Sequence, residues 1–145
     1  MEIRFALPEE IYELRRDVLR PGMGLESIVY AEDHDPEAFH LGVFEDGKNV
    51  CCLTFLKKSN ADFPQFTVQY QMRGMCTHPD YRKRGYATAL IQKGFELLQQ
   101  KGAELVWFHA RYYVLDFYRS FGCQDYGEFF VIPNSCEHKN MYKIF

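Results

Sequence analysis

The chain has 145 residues, 47% of them hydrophobic and 17% aromatic, with a formal net charge of −3. That length fits one domain over residues 1–145 with a single core. The mild acidity speaks against a nucleic-acid partner, which calls for a basic face. No apolar run approaches the ~20 residues needed to cross a bilayer, so no membrane partner is expected.

The N-terminal stretch MEIRFALPEEIYELRR lacks the apolar core of a secretion signal. Pro8 with Glu9 and Glu10 starts a helix, proline at its first position and acids at its positive end. Ile11, Leu14 and Val18 repeat at helical spacing, and Pro21-Gly22 stops the helix. Residues 21–37 are acidic and read as a loop with room for a short helix. Phe39 to Phe44 and Val50 to Leu56 read as strands around an Asp46-Gly47 hairpin turn. A loop follows, then a strand from Phe66 to Thr77 in which Val68, Tyr70 and Met72 alternate with polar residues. The alternation blurs at Gly74-Met75-Cys76, where a glycine permits a bulge. Pro79 ends the strand.

Ala87, Leu90, Ile91, Gly94 and Leu98 mark one face of a helix closed by Gly102. Leu105 to Ala110 is a strand. Val114, Phe117, Tyr118 and Phe121 mark a short helix closed by Gly122. Strands at Gln124–Ile132 and His138–Ile144 complete the chain. The mixture favours α+β with a mixed sheet.

Five cysteines, Cys51, Cys52, Cys76, Cys123 and Cys136, make an odd set with two adjacent. They read as reduced thiols in a cytoplasmic protein. Cys76-Thr77-His78 and Cys136-Glu137-His138 can be drawn as a zinc site, but the spacing is tighter than zinc ligands use, so no metal is expected.

The basic turn in CTHPDYRKRGYATALI, Cys76 to Ile91, carries the chemistry. Arg82, Lys83 and Arg84 meet Gly85 where a strand gives way to a helix. A helix start offers unpaired N–H groups and a positive dipole end, which together hold phosphate. Gly85 lets a ligand approach the backbone. Neither Gly-x-x-x-x-Gly-Lys-Ser/Thr nor Gly-x-Gly-x-x-Gly is present, so the cradle is of another kind.

Arg82-Lys83-Arg84-Gly85-Tyr86-Ala87 resembles the Gln/Arg-x-x-Gly-x-Gly/Ala signature of the GCN5-related N-acetyltransferases, the GNAT superfamily. RGMCTHPDYRKRGYATALI resembles that family's strand, turn and helix. VWFHARYYVLDFYRSFGC resembles its next strand and its Phe-Tyr-x-x-x-Gly-Phe helix, with Cys123 in the last aromatic's place. The chain as a whole is similar to small bacterial stand-alone acetyltransferases. The resemblance implies a GNAT fold, with six to seven mostly antiparallel strands and about four helices. It implies acetyl-CoA as cosubstrate, with its pyrophosphate on Arg82, Lys83, Arg84, Gly85, Tyr86, Ala87 and Thr88. Its pantetheine arm would pair with the backbone of Met75, Cys76 and Thr77. A bulge there would aim an N–H at the thioester oxygen, a donor worth roughly 3 kcal/mol. Lys83 departs from the family, where glycine is common.

The resemblance also implies Tyr118 as the acid that protonates the departing thiolate. For the base, Glu128, His138, His109 and Glu26 are candidates, and water with a backbone carbonyl is an alternative. Cys76 has no visible histidine partner, so direct attack by the amine in a ternary complex is expected. The acceptor is expected to be a small amine, with Glu26, Glu32, Asp33, Asp35 and Glu128 available to attract a cation. Tyr126, Phe129 and Phe130 either line its pocket or pack in the core. A homodimer is compatible with the family. A non-catalytic acyl-CoA sensor using the same cradle is the competing class.

Overall fold

In the computed structural model, which describes residues 1–145, strand β1 spans Glu2–Phe5 and helix α1 spans Pro8–Leu19. Strands β2 (Phe39–Glu45), β3 (Lys48–Lys57) and β4 (Gln69–Thr77) follow. Then come α2 (Tyr86–Gln100), β5 (Leu105–Arg111), α3 (Leu115–Arg119), β6 (Gln124–Val131) and β7 (Glu137–Ile144). The strands form one seven-stranded sheet in the order β1-β2-β3-β4-β5-β7-β6. Only the β4–β5 pair is parallel. This is the mixed, mostly antiparallel α+β sheet expected from the sequence. Three α-helices form where about four were expected, because the loop at 21–37 holds only a 3-10 turn, Leu25–Ser27.

Two boundaries differ from expectation for local reasons. β1 is four residues at the sheet edge, mostly exposed, so it has no buried alternation to betray it. β4 begins at Gln69 rather than Phe66. The amides of Thr67 and Val68 donate instead to the Glu104 carboxylate, at 2.9 and 2.8 Å.

The main core lies between the sheet and α2. Leu90, Ile91, Phe95 and Leu98 of α2 meet Phe55, Tyr70 and Met72 of the sheet. Gly94 lets the helix sit close: a Cβ there would lie 2.4 Å from the Phe55 ring.

α1 covers the opposite face, and there the structure departs from simple amphipathicity. Ile11 and Leu14 are buried as expected, but so is Arg15, with no exposure. Its guanidinium donates to Asp33 (2.8 and 3.3 Å), to the Ile28 carbonyl (2.7 Å) and to the Thr54 hydroxyl (2.8 Å). Asp33 also accepts the Tyr30 amide at 2.8 Å. His40 bridges the Thr54 hydroxyl (2.7 Å) and the Asp33 carbonyl (2.9 Å). One buried ion pair thus ties α1, the 28–33 segment, β2 and β3 together. Such a pair adds little over an apolar substitute, but removing one partner strands a buried charge. Asp33→Ala is therefore expected to lower stability by about 3 kcal/mol. Urea unfolding measures this, and a loss below a third of that would mean Arg15 finds water.

Candidate active site

β4 and β5 pair over three rungs only: Gln69↔Leu105, Tyr70↔Val106 and Gln71↔Trp107. Past these, β4 continues to Thr77 along β3 while β5 continues to Arg111 along β7. The anticipated bulge is present: Gly74 and Met75 together face the single Leu53, with Gly74 at φ +66°. A glycine in the left-handed region bends the strand and increases its twist. The two strands splay into a V, and between them lies a cleft of about 530 Å³.

The period of two gives the cleft two different walls. Met72, Phe108 and Ala110 face the α2 side, where Phe117 and Tyr118 join them. This wall is apolar. Gln71, Arg73, His109 and Arg111 face the opposite side, where Tyr30 and His138 join them. This wall is polar and cationic.

The cleft opens at its far end into a second hollow of about 170 Å³ beside the basic turn. α2 begins there with no capping side chain and no acid in its first turn. Its first recorded backbone bond runs from the Ala89 amide to the Gly85 carbonyl, at 3.0 Å. The amides of Tyr86, Ala87 and Thr88 stay free, as at any uncapped helix start. α1 is the contrast: there Glu10 accepts the Leu7 amide at 2.8 Å and acids occupy the first turn. Gly85 has φ +80° and open space where a Cβ would be. Lys83 takes φ +63°, the left-handed region that costs a residue with a Cβ about 1 kcal/mol. It thus adopts the backbone that a glycine would adopt there.

Of the residues proposed from sequence, Met75, Cys76, Thr77, Arg82 and Ala87 line the cleft. Lys83, Gly85, Tyr86 and Thr88 line the hollow. Arg84 lines neither; it lies over the Tyr81 ring at 4.7 Å and donates to the Asp80 carbonyl at 3.3 Å. The Tyr86 hydroxyl is bound to Glu45 of β2.

Tyr118 lines the apolar wall, its ring 4.7 Å from that of Phe108. Burial pushes its pKa well up, so it holds its proton at neutral pH. His138 lies across from Arg111 in the β5–β7 ladder, nearly buried. Its Nδ1 bonds the Cys136 carbonyl at 2.7 Å, which makes Nδ1 the protonated nitrogen. Nε2 then carries the lone pair. Burial lowers the pKa, and the charges of Arg111, His109 and Arg20 lower it further, against the carbonyl bond. His109 lines the same wall, with Nδ1 2.7 Å from Asn140 Oδ1.

Glu128 and Glu26 are not among the cleft residues. Glu128 sits exposed on a wide bulge, where Gly127, Glu128 and Phe129 oppose Lys139 alone. The aromatic trio separates for the same reason. Phe129 points to solvent, Tyr126 packs on Phe63, and Phe130 lies 5.3 Å from His109. Cys76 lies 3.4 Å from the Cys52 thiol; that contact and burial hold its pKa well above the ordinary thiol range. It is a thiol and a poor nucleophile. No three His, Cys, Asp or Glu side chains gather as metal ligands.

The acids named as available to attract a cation lie away from the cleft. No Asp or Glu lines the cleft. Asp33 is spent on Arg15 and Glu32 on Lys58. Arg4, Arg15, Arg16 and Arg119 each face a carboxylate. Arg20, Arg73, Arg82, Arg84 and Arg111 do not, and all of these but Arg84 line the cleft. Arg73 is fixed by stacking: its guanidinium lies 3.7 Å from the Tyr30 ring, while Arg15 lies 4.0 Å from it. Arg111 donates to the Tyr113 hydroxyl (3.1 Å) and, like Arg20, to the Leu19 carbonyl.

A parallel pair splayed by a bulge, leading to an uncapped helix behind a basic turn, is the layout of an acyl-CoA-binding domain. The profile of the acetyltransferase (GNAT) family matches residues 8–123, and the chain belongs to that family. YitI, an uncharacterized N-acetyltransferase of Bacillus subtilis (strain 168), is 35% identical over 143 residues, spanning 99% of this chain and 95% of that protein. Among solved structures, Escherichia coli ElaA superposes with a TM-score of 0.77 over 98% of both chains, at 17% identity. An aminoglycoside 6'-N-acetyltransferase complexed with coenzyme A gives 0.74 over 99% of this chain and 97% of its own, at 11% identity.

Gly85→Glu puts a side chain on a left-handed residue and an acid at the free helix start. It is expected to weaken CoA binding at least about 100-fold while leaving the unfolding free energy within about 2 kcal/mol of wild type. Calorimetric titration with CoA measures it, and unchanged affinity would exclude the turn as the phosphate site.

Proposed function

We propose that the protein transfers an acetyl group from acetyl-CoA to the primary amine of a small molecule that also carries an anionic group. The observation behind this is the set of four cleft arginines without a carboxylate partner, in a chain whose net charge is negative. Arg20, Arg73 and Arg111 are half-buried and Arg82 is exposed; an unpaired charge partly withdrawn from water is costly, and an anion that arrives with the ligand accounts for its retention. Arg73 and Arg111 on the polar wall would hold that anion, with Arg20 beside them. Arg82 belongs to the phosphate end.

The residues present fit acetyl-CoA. The free amides of Tyr86 to Thr88, with Arg82 and Lys83, suit a pyrophosphate. The unpaired inner edge of β4 at Met75 to Thr77 suits an extended amide-bearing arm, which adds to a strand edge as a peptide does. When bound, acetyl-CoA supplies an activated acetyl thioester. His138 takes the proton of the attacking amine on Nε2, its tautomer set by the Cys136 carbonyl. Tyr118, protonated at neutral pH, gives its proton to the departing sulfur from the opposite wall as the carbon–sulfur bond breaks, and regains one from solvent before the next turnover. Cys76 stays a thiol, which supports direct attack by the amine in a ternary complex. Five unbridged thiols support a reducing, cytoplasmic setting.

The deciding test is thiol release from acetyl-CoA against matched amines with and without a carboxylate or phosphate. Release with anionic amines is expected, and Arg73→Met should raise their KM about 10- to 100-fold with little change for acetyl-CoA. Release only with amines that lack an anion would reject the anionic acceptor. A thermal shift with acetyl-CoA but no release from any amine would favour a non-catalytic acyl-CoA sensor.

The roles of the proton carriers are separable by pH. The neutral form of His138 is the base, and its pKa lies below the ordinary 6.5. Acceptor kcat/KM should therefore be level at neutral pH and fall on acidification through that lowered value. His138→Gln should flatten this limb and cost about 100-fold; Tyr118→Phe should lower kcat by a similar factor and keep the limb. A wild-type limb in His138→Gln would move the base elsewhere.

A further inference from the structure

Gln69 and Gln71 are neighbours on one face of β4 and both are buried, at 3% and 5% exposure. Their amides meet different fates. The Gln69 amide donates to the Phe63 and Phe66 carbonyls at 2.7 and 2.9 Å, and its oxygen accepts the Asn60 amide at 2.9 Å. The Gln71 oxygen is buried and no group of the chain bonds it. Four other buried side-chain polar atoms lack partners, on Tyr12, Arg15, Asn49 and Ser135. None of those residues lines the cleft, and Gln71 does. It sits at the last β4–β5 rung, the vertex of the V, on the wall that carries Arg73 and His109.

We infer that Gln71 is a specificity-determining subsite: its side-chain oxygen accepts a hydrogen bond from a hydroxyl or amide N–H of the acceptor molecule. Native proteins leave few buried acceptors unpaired, so an orphan on a residue that lines a ligand cleft points to a donor on the ligand, reached by a turn of the side-chain amide. The neighbouring Arg73, without a carboxylate, favours the carbonyl end of the amide toward the cleft over the NH₂ end. Residues two apart on a strand project about 7 Å apart. The acceptor thus carries a donor group one such step deeper than the anion on Arg73. A site built around a buried acceptor rejects analogues that cannot donate to it. This rests on the anionic-amine acceptor proposed above and adds a second recognition element to it.

Gln71→Met keeps the side-chain length and removes the orphan oxygen. Two measurements compare it with wild type. In the absence of any ligand, its melting midpoint should rise by about 2–6 °C, because a buried unsatisfied acceptor is gone. In acetylation assays, L-glutamine is set against L-methionine and L-asparagine against L-leucine, pairs of similar size in which one member donates. Wild type should favour the donors at least about 10-fold in kcat/KM, and Gln71→Met should bring the ratio near 1. Arg73→Met should lower both members of each pair together. A fall in the ligand-free midpoint would mean the amide serves the fold, and would overturn the subsite whatever the amines do. So would a wild-type ratio in Gln71→Met, or a wild type that shows no donor preference. If wild type acetylates no anionic amine at all, the acceptor proposal itself fails, and the subsite falls with it even where the midpoint rises.

Discussion

Everything distinctive about this molecule follows from two parallel strands that stop pairing. β4 and β5 are each secured on the outer side, β4 by β3 and β5 by seven rungs with β7. Their inner edges lose each other after Gln71↔Trp107. The bulge at Gly74-Met75 is what turns β4 aside, since an extra residue bends a strand and adds twist. An opened sheet would normally be a liability, because its edge groups invite pairing with any extended chain. Here the open edge lies inside a cleft, beside an uncapped helix start. The same alternation that packs a sheet then assigns the two walls, apolar toward α2 and cationic toward α1.

The distribution of charge follows a second constraint. The chain is acidic overall, yet none of its acids lines the cleft, and several are engaged in the fold. Asp33 neutralises Arg15, Glu10 caps α1 and holds Arg4, and Glu45 holds Tyr86. Four of the arginines without a carboxylate partner line the cleft. Tyr30 makes this tolerable for Arg73. Its ring lies between two guanidinium groups, one buried and paired, the other open to the cleft. Cation–π contact strengthens as charges lose water, so it supports Arg73 without neutralising it.

Much of the fold was legible because it was periodic. The helix faces, the hairpin turn and the alternation of β4 are local patterns, and the basic turn is a local motif whose position between strand and helix can be read directly. The cationic wall was not legible. Arg20, Tyr30, Gln71, Arg73, Arg111 and His138 come from segments up to 118 positions apart, and no spacing links them. Arg73 and Gln71 are on the polar side of an alternating strand, and alternation tells which residues share a face and not what covers it. Arg15 was hidden in the same way, since a helix's polar face is taken as wet until a buried partner such as Asp33 is seen. Glu128 drew notice as an acid in a late strand, and the bulge that swings it outward rests on Gly127 at φ +75°.

Stability and recognition are therefore assigned to opposite sides of one residue. On the Arg15 side of Tyr30, both terminal nitrogens of the guanidinium find acceptors on Asp33, Thr54 and the Ile28 carbonyl, with His40 closing the network behind them and Nε alone left without a partner. On the Arg73 side, Arg73 has no carboxylate and the Gln71 oxygen has no donor. Natural sequences break the rules of satisfied burial mainly where function requires it. Rigid support matters here because an unpaired guanidinium would otherwise swing to the nearest acid or to solvent. With its ring clamped between the two cations and its amide held by Asp33, Tyr30 has little freedom to follow such a motion. The buried pair on α1 thus acts beyond its own contacts: it contributes little net stability, and through Tyr30 it supports the position of Arg73.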